Sequence, residues 1–259
     1  MRKFILSTVT FTMFFFSCSD LKKKEETKKG NENLTETSNE NSLKISPISH
    51  ATAVLEFNGK TVYIDPTGGK EAFEGFANPD MIFITDVHGD HMNMKTLKEL
   101  DVSKTTIISP SAVFSKLTSL APKNSIVINN GESKDLEVLK VEAIPMYNLR
   151  EEALKFHTKG RGNGYVFTIN GERIYFSGDT EDIPEMRSLK NIDKAFVCMN
   201  LPYTMTVESA SSAVLDFKPK QVYPYHYRGT DGMSDVVKFK SIINTANTDI
   251  KVIQLNWYQ

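Results

Sequence analysis

The 259-residue chain is short of cysteine, has no excess of either charge, and holds no apolar run of the roughly 20 residues a membrane-spanning helix needs. Only Cys18 and Cys198 occur, which excludes a disulfide framework and leaves packing or metal as the means of stapling the fold. With 31 basic against 32 acidic residues the net charge is −1, so the field that draws proteins to nucleic acid is missing and no nucleic-acid partner is expected. No G-x-S-x-G turn is present, and Cys198 sits inside the apolar run Ala195 to Met199, where a thiol is a core residue rather than a nucleophile. Gly160-Arg161-Gly162-Asn163-Gly164 lacks the G-x-G-x-x-G spacing of a dinucleotide loop. What remains, 40% hydrophobic and 24% charged, is the balance of an ordinary globular protein.

The first residues read as an address. Arg2 and Lys3 precede a stretch from Phe4 to Phe16 made only of apolar residues, serine and threonine, followed by Ser17-Cys18. Residues 1–17 are expected to be a lipoprotein signal peptide, with Cys18 the lipidated first residue of the mature chain; an ordinary secretory signal is the alternative. Either reading predicts export, and the first predicts a lipid-anchored protein of a bacterial cell envelope, facing the periplasm or the exterior. Residues 18–43 contain three large apolar residues, Leu21, Leu34 and Leu43, and are expected to form a disordered tether to a domain at 44–259.

Within that domain Asn58-Gly59 and Asn170-Gly171 each separate two apolar runs, which predicts two antiparallel hairpins: Ala51–Phe57 with Thr61–Asp65, and Tyr165–Ile169 with Arg173–Ser177. Further buried strands are predicted at 81–84, 106–109, 125–128, 195–199, 221–224 and 250–255, and helices near 94–100, 111–117, 206–217 and 234–243. Strands interleaved with helices predict a layered α/β fold.

The strand at Met81 runs straight into Thr85-Asp86-Val87-His88-Gly89-Asp90-His91, which crowds four metal-competent side chains into one turn. Residues two apart on extended backbone point the same way, so Asp86 and His88 can converge on one ion while Gly89 turns Asp90 and His91 toward another. His157 precedes a glycine-rich loop, His226 follows the strand 221–224, and Ser177-Gly178-Asp179-Thr180 places a carboxylate where another strand ends. Asp179 is either a further ligand or a helix cap.

Taken together, TDVHGDH, SGDT and PYHY resemble the metallo-β-lactamase fold hydrolases, whose signature is T-H-x-H-x-D-H, a third histidine, a bridging aspartate and a last histidine. Ser49-His50-Ala51-Thr52 and Ile64-Asp65-Pro66 are similar to the lactonase-like branch that includes ascorbate-6-phosphate lactonase and the phospholipase D acting on N-acyl-phosphatidylethanolamines. The resemblance implies a four-layer αβ/βα sandwich and two divalent ions, zinc first, with Mn²⁺ or Fe²⁺ tolerated by the carboxylates. It assigns Asp86, His88 and a loop residue to one ion, Asp90, His91 and His226 to the other, and Asp179 between them. In two respects the chain departs: Asp86 stands where the signature has histidine, and Ala143 to Asn148 offers no third histidine, leaving His157 or Asn148 for that place.

Paired ions lower the pKa of a bridging water toward about 7, so the implied reaction is attack by a metal-bridged hydroxide on a lactone, ester or phosphodiester. Asp90 would ligate and accept a proton, Tyr203 would assist at the oxyanion or serve as a structural tyrosine, and His50 would touch the substrate, orient a ligand or be a histidine satisfied within the core. Lys159 and Arg161 are candidates for an anionic substrate group or mere loop charges. The competing expectation, from Asp86 and the missing histidine, is a metal-binding protein without catalysis on the same fold.

Overall fold

The structure, a computed structural model, describes residues 42–258. The predicted signal peptide, Cys18 and all but the last two residues of the predicted tether lie outside the described residues.

The strands, in chain order, are β1 (Lys44–Ser49), β2 (Thr52–Phe57), β3 (Lys60–Ile64), β4 (Met81–Phe83), β5 (Thr106–Ser109), β6 (Asn124–Val127), β7 (Ser133–Asp135), β8 (Lys140–Met146), β9 (Gly162–Ile169), β10 (Glu172–Phe176), β11 (Lys194–Val197), β12 (Gln221–Pro224), β13 (Arg228–Gly229), β14 (Gly232–Met233) and β15 (Lys251–Val252). The α-helices are α1 (Met94–Glu99), α2 (Ser111–Phe114), α3 (Pro184–Arg187), α4 (Val207–Phe217) and α5 (Val236–Ala246). One sheet has the order β1-β2-β3-β4-β5-β6, antiparallel through β3 and parallel from there on. The other has the order β15-β12-β11-β10-β9-β8-β7, with parallel pairing from β15 to β10 and antiparallel pairing beyond.

The two sheets pack face to face. Leu55, Val62, Ile64, Phe83 and Ile108 of the first share a core with Tyr165, Phe167, Phe176 and Phe196 of the second, and the Phe83 ring meets Phe167 edge-on with centroids 4.7 Å apart. The alternate residues Val54, Tyr63, Ile82 and Ile107 face outward and are buried with Leu97 of α1 and Val113 of α2. Covered on both faces, these strands read as unbroken apolar runs. Tyr175 and Phe217 of α4 meet edge-on on the far side of the second sheet, which completes the four layers.

Both predicted hairpins are present, with left-handed backbone at Asn58-Gly59 (φ 49° and 69°) and Asn170-Gly171 (φ 52° and 83°). Their side chains pair: Asn58 Nδ2 donates to Asn170 Oδ1 at 2.8 Å and Asn170 Nδ2 returns a bond at 3.3 Å. This amide pair ties the sheets at one end, and the ligand-bearing turns leave the strands at the other.

The structure corrects the sequence reading at the edges. β1 and β8 were not anticipated because each carries a proline, Pro47 or Pro145, and polar residues that break the apolar pattern. Both prolines are placed where only one neighbouring strand needs a partner, since β1 is an edge strand and β7 pairs with β8 only at residues 140–142. The strand expected over 250–255 shrinks to two residues, and the helix expected over 111–117 to a single turn.

Phe83 is wholly buried between the sheets. Phe83→Ala is expected to cost about 3–5 kcal/mol of stability in urea unfolding, whereas Val237→Ala, on an exposed face of α5, should stay within about 0.5 kcal/mol.

Candidate metal centre

Parallel pairing brings the ends of β3, β4 and β5 side by side, and the backbone ladder continues just past them: Asp65 N–H donates to Phe83 O at 2.9 Å and Ile84 N–H to Ile108 O at 3.0 Å. Asp65 then turns into the left-handed region, φ 44°, which folds its carboxylate back under the next turn. Its Oδ1 accepts from Thr85 N–H at 2.7 Å and its Oδ2 from the Thr85 hydroxyl at 2.6 Å. Oδ2 also lies 2.7 Å from His91 Nδ1, so His91 carries its proton there and presents Nε2 to the interior of the site. The sequence motifs give Asp65 no role of its own; the signal for it is a buried strand ending directly in an aspartate.

Two more residues with left-handed backbone stand here, His50 (φ 55°) and His226 (φ 47°), joined by His226 N–H donating to His50 O at 3.2 Å. Non-glycine residues in this region are uncommon and cluster at functional sites. Gly178, φ +60°, lets β10 swing Asp179 inward; a Cβ there would meet Met146 Sδ at 2.7 Å and Asn163 O at 3.1 Å.

The result is two groups of donors, within each of which the atoms lie within 4.8 Å of one another: Asp90, His91, Asp179 and His226, and Asp86, His88 and His157. His91 Nε2 and His226 Nε2 face each other at 3.2 Å, and each is 3.2–3.3 Å from the Asp179 carboxylate. His157 Nε2 reaches the same carboxylate at 3.1 Å, so Asp179 stands between the groups rather than capping a helix. His157 takes the loop position because its Nδ1 donates to Tyr203 O at 3.1 Å, which turns Nε2 inward. The rival, Asn148, points its amide at Ala153 O and Tyr203 O and holds the loop.

The electrostatics are those of carboxylates and imidazoles packed together out of water. Burial opposes charge on His91, yet the Asp179 and Asp65 carboxylates overcome it and hold the imidazole well above its usual pKa. Burial also opposes charge on Asp179, but His226, His91 and His157 hold it well below the carboxylate range. Ligands around a tetrahedral ion at about 2.0–2.1 Å are spaced about 3.3 Å apart, which the Nε2 and carboxylate distances match. Asp179 Oδ1 is buried and accepts no hydrogen bond. The residues fit a divalent cation.

The remaining candidates separate. His50 lies behind Asp90: Tyr258 OH accepts from Tyr227 N–H at 3.1 Å and Arg228 N–H at 3.2 Å, so its own proton goes to His50 Nδ1 at 2.8 Å. His50 Nε2–H then faces Asp90 Oδ2 at 3.4 Å. Tyr203 and Phe156 wall a cavity of about 330 Å³ that opens on His88, Asp90, His157 and Asp179. Both loop cations already meet carboxylates: Lys159 pairs with Glu185 at 2.8 Å, and Arg161 forks onto Asp86. Cys198 is a buried thiol, pushed up to about 11 by burial and by Asp179.

Residues 44–226, which include all seven candidate ligands, match the beta-lactamase superfamily domain. The chain belongs to this superfamily. A protein of Parabacteroides distasonis of known crystal structure is similar at 36% identity, with a TM-score of 0.74 over 84% of this chain and 94% of that one. The UPF0173 metal-dependent hydrolase of Pyrococcus abyssi is 26% identical over 78% of this chain and 92% of its own length. The metallo-hydrolase Igni18 of Ignicoccus hospitalis shares the fold, with a TM-score of 0.69 at 22% identity. By family the chain falls with the metal-dependent hydrolases of the metallo-β-lactamase superfamily, and it has the four-layer fold that superfamily shares.

Because Asp65 orients His91, Asp65→Asn is expected to weaken metal uptake roughly 10–100-fold with little change in circular dichroism. Titration of metal-free protein with Zn²⁺ checks this, and an unchanged affinity would show that Thr85 alone suffices to hold the ring.

Proposed function

We propose that the chain is an exported, lipid-anchored hydrolase that cleaves a small lactone, ester or phosphodiester. The observation that carries the catalytic part is the convergence of seven ligand-type side chains, four of which, His88, Asp90, His157 and Asp179, line a cavity walled by Tyr203 and Phe156. In this reading Asp90, His91, Asp179 and His226 hold one ion, Asp86, His88 and His157 hold a second, and Asp179 lies between. Zinc suits the imidazole and carboxylate donors, and the carboxylates also suit Mn²⁺ or Fe²⁺. Such ions supply water that ionises near neutral pH and polarise the carbonyl or phosphoryl oxygen under attack.

The chain's own residues do the rest. Asp90, whose side chain is 43% exposed, reaches the cavity and is held there by His50 and His226, so it can take a proton from the attacking water. Tyr203 accepts from the Thr230 hydroxyl at 3.0 Å, which leaves its own proton to donate to a substrate oxygen at the cavity wall. Phe156, edge-on to Tyr203 at 5.1 Å, gives that wall an apolar surface for the part of the substrate not undergoing cleavage.

The second reading, a metal-binding protein without catalysis, is favoured by one feature, the arginine clamp on Asp86. The two separate on turnover. The hydrolase reading expects metal-dependent cleavage of phenyl acetate, a γ-lactone or bis(p-nitrophenyl) phosphate, lowered more than about 100-fold by Asp179→Ala in a protein that still folds. Bound metal with no turnover on any of the three would establish the alternative.

The anchoring rests on Arg2, Lys3, the apolar stretch and Cys18. Expressed in a bacterium, the full chain is expected in the membrane fraction and Cys18→Ser in the soluble fraction of the envelope. Equal partition of the two would remove the lipid anchor.

A further inference from the structure

Among the described residues, the guanidinium of Arg161 is the fixed positive charge built against the seven ligand-type side chains. Nε donates to Asp86 Oδ1 at 2.9 Å and Nη2 to Oδ2 at 2.7 Å, the two-pronged geometry that suits a carboxylate. Nη2 also donates to Phe156 O and lies 3.4 Å from His88 Nε2. The other nitrogen of His88 is 2.8 Å from Asp86 Oδ2. Every donor atom that Asp86 and His88 can offer is therefore within one hydrogen bond of the guanidinium or of its partner. Asp86 is wholly buried, so the fork cannot be traded for water. Among the described residues the group formed by Asp90, His91, Asp179 and His226 has no such neighbour: its side chains meet one another, Asp65, the Thr85 hydroxyl and other histidines.

Resting on the two-ion reading above, we infer that the two cation positions are unequal by construction. The Asp90, His91, Asp179, His226 position is the resident one, and the Asp86, His88, His157 position is conditional, its affinity set by Arg161. The physical reason is direct. Arginine keeps its charge at any working pH, so an ion arriving beside Asp86 must either share the carboxylate with a guanidinium or break two charge-assisted hydrogen bonds to a buried anion. Repulsion between a unit charge and a dication a few ångströms apart in a partly buried site outweighs what the fork gains by orienting the ligand. Arg161 is a positioning residue on Asp86 and at the same time a competitor for its charge.

The test is calorimetric titration of the full chain, stripped of metal by chelator, with Zn²⁺ alone, beside Arg161→Met and Arg161→Lys. The wild-type chain is expected to bind one ion tightly and a second at least about 100-fold more weakly. Arg161→Met should tighten the second event at least about tenfold and leave the first unchanged, while Arg161→Lys, which keeps the charge, should leave the gap open. Two equal affinities in the wild type, a single event that Arg161→Met does not turn into two, or no binding at all would overturn the inference, and the wild-type titration decides the first and last of these even if a variant fails to fold. Turnover measured on the same samples keeps the two readings apart. Unequal binding without cleavage leaves this inference standing and removes the hydrolase, and cleavage with two equal ions does the reverse.

Discussion

The site depends on one buried carboxylate. Asp65 leaves β3 in a left-handed turn, and three donors on the adjoining strand exit, Thr85 N–H, the Thr85 hydroxyl and His91 Nδ1–H, all end on its two oxygens. Without it Thr85 N–H, the Thr85 hydroxyl and His91 Nδ1–H would lose their shared acceptor, and the His91 ring the carboxylate that selects which nitrogen carries the proton. The second sheet is then bound to this fixed point: Asn163 N–H donates to Thr85 O at 2.9 Å and the Tyr165 hydroxyl to Ile84 O at 2.9 Å, so β9 begins where β4 ends. Gly162 makes the approach possible, since a Cβ there would meet Thr85 O at 2.8 Å.

Where information was local, the sequence was legible. Both Asn-Gly hairpins, most of the central strands and the clustering of Asp86, His88, Asp90 and His91 follow from patterns a few residues long, and the structure places them as read. The four-layer arrangement is what the resemblance implies, and the comparison with solved structures supports it. What escaped depends on partners far along the chain. Nothing near Arg161 announces that it answers Asp86, 75 positions away, and nothing near His50 points to Tyr258, 208 positions away. His157 and Asn148 were alternatives in the sequence, and a single carbonyl, Tyr203 O, distinguishes them by drawing the Asn148 amide and His157 Nδ1 to itself.

The charge of the site follows a similar logic of pairs. An aspartate at position 86 adds a negative charge where the signature has a neutral ring, and the Arg161 fork cancels it. Seen as one unit, Asp86 and Arg161 are as neutral as the histidine they replace, which explains how an extra carboxylate can lie wholly buried beside Asp90 and Asp179 without forcing one of them to take up a proton.

The loops that wall the cavity have a consequence for how the protein can change. Arg150 reaches from the loop between β8 and β9 to Pro202 O at 3.0 Å and Thr204 O at 2.7 Å, and His157 and Asn148 both grip Tyr203 O. Phe156 and Tyr203 therefore ride on a single laced unit rather than on two independent loops. Substitutions in the two segments would not add, so an altered specificity here would have to evolve through coupled changes in both, with each single step first disturbing the histidine between them.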